Sequence, residues 1–292
     1  MMKLTIIIAF SVAAAIAALF AYGALHWNVQ TRALHKRLGL TRTQPAEPTV
    51  NFRELGTLPP PVQRYLRLVL TDGAPIIVAA RFHHTGTFNS SEAGERWSSF
   101  TSVQDTEAHG PAFIWDARIH MIPRVPVRVH DAYIAGQGLL HASILGAFSV
   151  ADLHDTTDIA AGELMRWLAE TTWYPTALLS SQGIRWTAVD AHSARATLVH
   201  GTLTITLLYT FGVDGLIETV LAESRSRTVA NRIVPTPWQG RFWNYEKRDG
   251  LLVPLDGEVS WLLPSGPKPY WRGHLDALNY LFADPTHPPA TR

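Results

Sequence analysis

The sequence predicts an α+β fold: a large curved, mostly antiparallel β-sheet, an open or half barrel, wrapped on one or two helices, with a transmembrane helix in front. Three observations predict it. Leu4 to Leu25 runs 22 residues without a charged side chain; two long stretches alternate apolar and polar residues with period two; and the helical segment between them is not repeated in βαβ fashion. The chain has 292 residues, 47% hydrophobic and 17% charged, a globular composition. Residues 51–283 are therefore expected as a single α+β body, behind an anchor at 4–25 and a juxtamembrane helix and linker at 26–50, with 284–292 as a flexible tail.

At 1.5 Å of rise per residue, the apolar run matches a hydrocarbon core about 30 Å thick. A cleaved signal peptide is the alternative, since Ala21-Tyr22-Gly23 is a small-x-small site, but the run exceeds the roughly 7 to 15 residues of a signal h-region. A single-pass location in the cell membrane is expected. Lys3 precedes the span while Arg32, Lys36 and Arg37 follow it, which favours a cytoplasmic body. The usual behaviour of signal anchors favours the extracytoplasmic side, and that side is the expectation here.

Asn28 to Leu40 reads as a basic helical stalk near lipid headgroups, and Thr41 to Val50, with Pro45 and Pro48, as a linker. Pro59-Pro60-Pro61 opens a helix in which Val62, Tyr65, Leu66 and Val69 form one apolar stripe, ended by Asp72-Gly73. From Pro75 to Asp155 the grammar is that of strands: Phe113, Trp115, Ala117 and Ile119 share a face opposite Ile114, Asp116, Arg118 and His120. Val125, Val127 and Val129 alternate likewise, and their register carries Asp131 and Tyr133 to the apolar side. Thr157 or Asp158 caps a helix from Ile159 to about Thr171 that Pro175 stops. Leu203, Ile205, Leu207, Tyr209 and Phe211 begin a second run of strands, with turns at Asp214-Gly215, Asp249-Gly250 and Asp256-Gly257.

Several function classes fall away. A net charge of +1 gives no field for nucleic acid. With no cysteine, disulfides, thiolate nucleophiles and cysteine-held metals are excluded. The 13 histidines form no HExxH or His-x-His, and the adjacent His83 and His84 point to opposite faces of a strand. Gly-x-Ser-x-Gly, GxGxxG and P-loop signatures are missing, so neither metal nor cofactor is expected.

Leu58-Pro-Pro-Pro-Val-Gln-Arg-Tyr-Leu66, Phe113-Ile-Trp-Asp-Ala-Arg118, and Gly162-Glu-Leu-Met-Arg-Trp-Leu-Ala-Glu170 running into Trp173-Tyr-Pro-Thr-Ala-Leu-Leu179 form recognisable segments. With Thr236-Pro-Trp238, Val253-Pro254 and Tyr270-Trp-Arg-Gly273, they resemble an uncharacterised bacterial family, the domain of unknown function 6544 and its relatives. The resemblance spans about Leu58 to Gly273. It implies that these segments are the family's signature and that members often carry N-terminal hydrophobic segments; it brings no activity or substrate.

The helix from Ile159 carries the candidate chemistry. Arg166, Trp167 and Glu170 fall within about 60° of Glu163 around the axis, opposite Leu164, Met165, Leu168 and Ala169. In one reading this Glu–Arg–Glu ridge points into a cavity, with Glu163 or Glu170 as general base and Arg166 stabilising charge; in the other it is a solvated face with an i, i+4 ion pair. Asp131 on its valine face needs a partner, for which Arg118, Arg166 and Arg225 are available. Trp115, Tyr133, Trp167, Trp173, Tyr174, Trp238 and Trp243 are expected to line an apolar hollow, or alternatively to fill a plain core.

Three functions follow. A membrane-anchored binding or carrier domain for a lipid or other apolar small molecule comes first. An enzyme of hydratase, isomerase or hydrolase type, using Glu163, Arg166, Glu170 and Asp131, is second. A structural adaptor for a membrane partner, docking through exposed tryptophans, is third.

Overall fold

The computed structural model of the chain describes residues 2–92, 94–122, 125–154, 156–229 and 232–284. The tail expected at 284–292 lies outside the described residues except for Asp284. Helix α1, Met2–Gly39, is continuous and is long and apolar enough to cross a membrane. Residues 2–22 are exposed on every side, and burial begins at Gly23.

α2, Pro60–Val69, opens at its prolines, and Val62, Tyr65, Leu66 and Val69 are all buried, as the stripe requires. Six strands follow as a meander: β1 Ile77–Asn89, β2 Trp97–Glu107, β3 Ala112–Ile122, β4 Val125–Ile134, β5 Gln137–Ile144 and β6 Phe148–His154. α3, Thr157–Ala169, leads to seven more: β7 Arg185–Ala188, β8 Ser193–His200, β9 Leu203–Phe211, β10 Ile217–Val229, β11 Arg232–Arg248, β12 Leu251–Leu263 and β13 Gly266–Phe282. The cap of α3 is Thr156, whose Oγ1 accepts from the Ile159 amide at 3.2 Å, one residue before the position the sequence suggests.

All 13 strands form one antiparallel sheet in the order β6-β5-β4-β3-β2-β1-β13-β12-β11-β10-β9-β8-β7. Each wing is a plain meander of local hairpins, and a single long-range pairing, β1 with β13, joins them. α3 connects the two outer edges, β6 to β7, and packs on both wings, against β3–β5 on one side and β9–β10 on the other. That crossing curls the sheet into an open half barrel around the helix. Period two delivers the core: Phe113, Trp115, Ala117 and Ile119 face inward with Val127, Val129 and Tyr133, and from the other wing Ile205, Leu207, Tyr209 and Phe211 do the same.

β3 is buried on its outer face as well. Residues Asn28 to Gly39, expected as a stalk beside headgroups, instead lie along the sheet, where Leu34 and Leu38 cluster with Ala112, Ile114, Ala132 and Ile134. Trp27 stacks on His130 at 3.8 Å and donates to Asp116 at 3.2 Å. The expected linker is also docked: Arg42 clamps the fully buried Glu107 with two 2.8 Å bonds.

One glycine sets how closely α3 lies on the sheet. A Cβ on Gly138 of β5 would stand 2.7 Å from the backbone of Ile159 and Ala160. Gly138→Ala is expected to push the first turn of α3 outward and cost about 1 to 3 kcal/mol, read as a shifted denaturation midpoint; an unchanged midpoint would contradict the contact.

Candidate functional site

The polar ridge of α3 faces inward, between the wings. Arg166 bonds Asp131 at 2.5 Å, Glu170 at 2.7 Å and Gln104 Oε1 at 3.0 Å, and its guanidinium lies over the rings of Phe113 and Trp115 at 4.9 and 5.1 Å. Glu163, 6% exposed, accepts from Arg225 of β10 at 3.1 Å. Arg225 in turn sits 4.6 Å over Trp238. The i, i+4 ion pair exists, but buried rather than solvated. Of the three arginines available to Asp131, Arg166 takes it, Arg225 goes to Glu163, and Arg118 is exposed.

Three carboxylates face two guanidiniums here, so one proton restores balance. Burial pushes the Glu163 carboxyl up, to about 8, reinforced by Asp131 and opposed by Arg225 and Arg166. Glu163 also hydrogen-bonds Asp131. Asp131 Oδ1 and Glu163 Oε2 are the oxygens without a donor when both groups are charged, and a proton on Glu163 satisfies the pair. Burial alone would lower Arg166, yet Glu170, Asp131 and Glu163 hold it above the usual arginine value. The cluster thus ties α3 to β2, β4 and β10.

The aromatic residues split into groups. Trp167 is buried and donates to Glu107 O at 2.9 Å; Tyr174 donates to Trp167 O at 2.5 Å. Tyr133 meets His200 Nδ1 at 2.7 Å, and Trp238 donates to Tyr270 at 2.8 Å. These four are core, their polar tips satisfied within the protein. Trp243 does not line the interior: Trp238, Gly240 and Phe242 take the inward positions of β11, so period two turns Trp243 outward, 44% exposed. Trp115 and Trp173 are buried but border a different feature.

That feature centres on His84, which the sequence places on a strand face but does not mark as a site residue. His84 is 3% exposed, and rings surround it: Trp173 at 4.9 Å, Trp271 at 5.7 Å and Phe82 at 6.0 Å. Phe100 lies 5.7 Å from Trp271 and 5.9 Å from Trp115. Neither ring nitrogen of His84 has a hydrogen-bonding partner, and neither has Ser102 Oγ, directly opposite on β2. Burial lowers His84 to about 3, with Arg166 adding to the effect, so the ring is neutral. Phe88, Tyr270, Trp261 and Trp271 continue the aromatic surface and are only partly buried. Period two and the β1–β2 register would have placed His84 with Ser102, but that pairing is not fixed by local sequence.

Among the described residues no group of acidic or histidine side chains is arranged to hold a metal ion. Much of the cluster comes from the Gly162–Leu179 signature, and a family model matches residues 56–280 around it. The chain belongs to the family of unknown function DUF6920. An uncharacterised family was expected, though under the number 6544; DUF6920 is the correction. No curated protein matches this DUF6920 chain. A LolA superfamily protein from Nitrosomonas europaea is similar in structure at 8% identity and a TM-score of 0.34, covering 81% of this chain and 96% of that one. A β-barrel-like protein of the domain of unknown function DUF1849 from Brucella abortus matches at 10% identity and a TM-score of 0.20, over 70% of this chain and 99% of that one. Likenesses this distant transfer no ligand.

Proposed function

We propose that the chain is a membrane-anchored binding or carrier domain for a lipid or other apolar small molecule, held against the aromatic inner face of the half barrel. His84 and Ser102 carry this reading. Leaving a buried polar atom without a partner costs about 1 to 3 kcal/mol, and here three such atoms sit inside a wall of tryptophan and phenylalanine. A neutral imidazole offers one donor and one acceptor, which suits an uncharged hydroxyl, ester or carbonyl on an otherwise apolar molecule. Trp115, Trp173 and Trp271 supply the surface around it.

The test is native mass spectrometry of the full chain extracted in mild detergent. A reproducible mass increment is expected on the wild type, with occupancy about tenfold lower in His84→Phe and Trp271→Ala. His84→Phe should keep or raise Tm, because it removes the unpartnered nitrogens; a purely structural histidine would do the reverse. Bare wild-type protein overturns the reading.

A second reading, a cavity enzyme on an apolar substrate, draws on the raised Glu163 carboxyl, a group suited to general acid chemistry near neutral pH. Glu163→Gln separates the two. The amide still donates to Asp131 and accepts from Arg225, so a binding domain keeps its ligand, while an enzyme using that proton loses turnover.

A further inference from the structure

We infer that the β5–β6 hairpin and the free edge strand β6 form a membrane-inserted lip, through which a bilayer lipid reaches the inner apolar face of the half barrel. The inference rests on α1 spanning a membrane, and it adds to the proposed function the source of the ligand and its route.

The first observation is a clamp. A Cβ on Gly23 would stand 2.2 Å from the Leu145 carbonyl oxygen, and one on Gly146 would stand 2.6 Å from the Gly23 carbonyl oxygen. Gly146 also has φ +74, which side chains other than glycine rarely adopt. His26 Nδ1 lies 3.4 Å from the Gly146 oxygen. Two glycine backbones therefore touch at the point on α1 where exposure on all sides ends and burial begins. Beyond it, Trp27, Leu34 and Leu38 fix the rest of the helix to the sheet, so the hairpin has no freedom to move away. Leu4 to Leu25, the expected anchor, is about 30 Å of helix, one hydrocarbon thickness, and Gly23 lies in its last turn. A span of that length ends level with residues 145–147.

The second observation is what lies beside the clamp. Phe148 and Val150 are 53% and 55% exposed, and Leu153 is 37% exposed. They belong to the outermost strand of one wing. An apolar edge strand in water invites aggregation, and soluble proteins protect such edges with charge, proline or a cover. β6 has one acidic residue, Asp152, and no proline. Contact with a bilayer interface accounts for the exposure.

The third observation is continuity with the inner face. Phe148 pairs with Ile144, Ile144 with Val127, Val127 with Ile119 and Ile119 with Phe100, and Phe100 packs on Trp271 beside His84. Paired residues in an antiparallel sheet share a face. An uninterrupted apolar row therefore leads from the lip at the membrane surface to the aromatic patch.

Because the chain lacks cysteine, single cysteines at Phe148 and Val150 can each carry a spin label, with Val213 on the far β9–β10 turn, fully exposed, as the aqueous control. The full chain is reconstituted in liposomes of phosphatidylethanolamine and phosphatidylglycerol. Labels at 148 and 150 are expected to be more accessible to oxygen than to a water-soluble nickel chelate, with the order reversed at 213. Labels at 148 and 150 behaving like the label at 213 overturn the lip. So does dipolar broadening between copies, which would assign β6 to a second chain. The outcome is independent of the co-purified mass: water-exposed labels with ligand retained sink the lip alone, while lipid-exposed labels on bare protein sink the binding reading alone.

Discussion

Replacing Arg166 with methionine is expected to destabilise the protein by about 3 to 5 kcal/mol at neutral pH, a fall in Tm on the order of 10 °C. The guanidinium bonds two acidic side chains and one amide, all inside the half barrel. Methionine fills most of the volume but leaves Asp131 and Glu170 as buried charges with no counter-charge in contact. A second variant separates the lost charge from damaged packing. Asp131→Leu and Glu170→Leu added to Arg166→Met remove the uncompensated carboxylates as well, and replacing a whole buried ion set by apolar groups is often neutral. The triple variant should recover most of the lost stability. A single variant within about 1 kcal/mol of wild type, or a triple variant no better than the single, would show that the cluster is not what holds α3 between the wings.

That cluster was readable from spacing to an unusual extent. Glu163, Arg166 and Glu170 recur at helical intervals, and the valine alternation of β4 carries Asp131 to the same interior, so local periodicity alone brings four of the partners within reach. Gln104 and Arg225 complete the set from β2 and β10, and their arrival depends on register between segments 60 residues or more from α3, which no local pattern encodes. The same limit hid the seam between β1 and β13, without which the two meanders would be separate sheets. Trp243 shows a different failure: its residue type suits a pocket wall, but β11 already spends its inward positions on Trp238, Gly240 and Phe242. Helix α1 was read as an anchor from composition, while its second half looked like a basic stalk, because Trp27, Leu34 and Leu38 are too sparse for a clear stripe. Only the outer faces of β3 and β4 reveal what they pack on. His84 is legible only as one of two adjacent histidines on opposite strand faces, and its role depends on Ser102 and the three aromatic rings that tertiary packing sets around it.

The buried titratable groups predict a stability optimum near pH 6.5 with opposite causes on its two sides. Burial lowers His84 to about 3, with Arg166 adding to it, and lowers His130 to about 3, with His141 and His35 adding to it. Their ordinary value is 6.5, so between pH 6.5 and 3 the unfolded chain binds two more protons than the folded one, and stability falls as the solution is acidified. At about 1.4 kcal/mol per unit, each histidine contributes on the order of 4 to 5 kcal/mol that is present above pH 6.5 and lost by pH 3. His200, lowered by burial, acts in the same direction. Glu163 works the other way. Its carboxyl rises from 4.5 to about 8, so its contribution is complete below pH 4.5 and lost as the pH climbs to 8. From 4.5 to 6.5 the two histidines outweigh Glu163, which Asp116, raised by burial, assists, and stability rises with pH; from 6.5 to 8 the loss of the Glu163 proton makes stability decline. Thermal unfolding of the full chain in detergent across this range should trace that shape. Glu163→Gln, neutral at every pH, should flatten the alkaline decline and leave the acid limb intact, whereas His84→Phe should reduce the acid limb by about half and leave the alkaline decline. An alkaline decline that survives Glu163→Gln would remove the proton from the carboxyl pair, and with it the balance of charge that lets five ionisable groups stay buried beside α3.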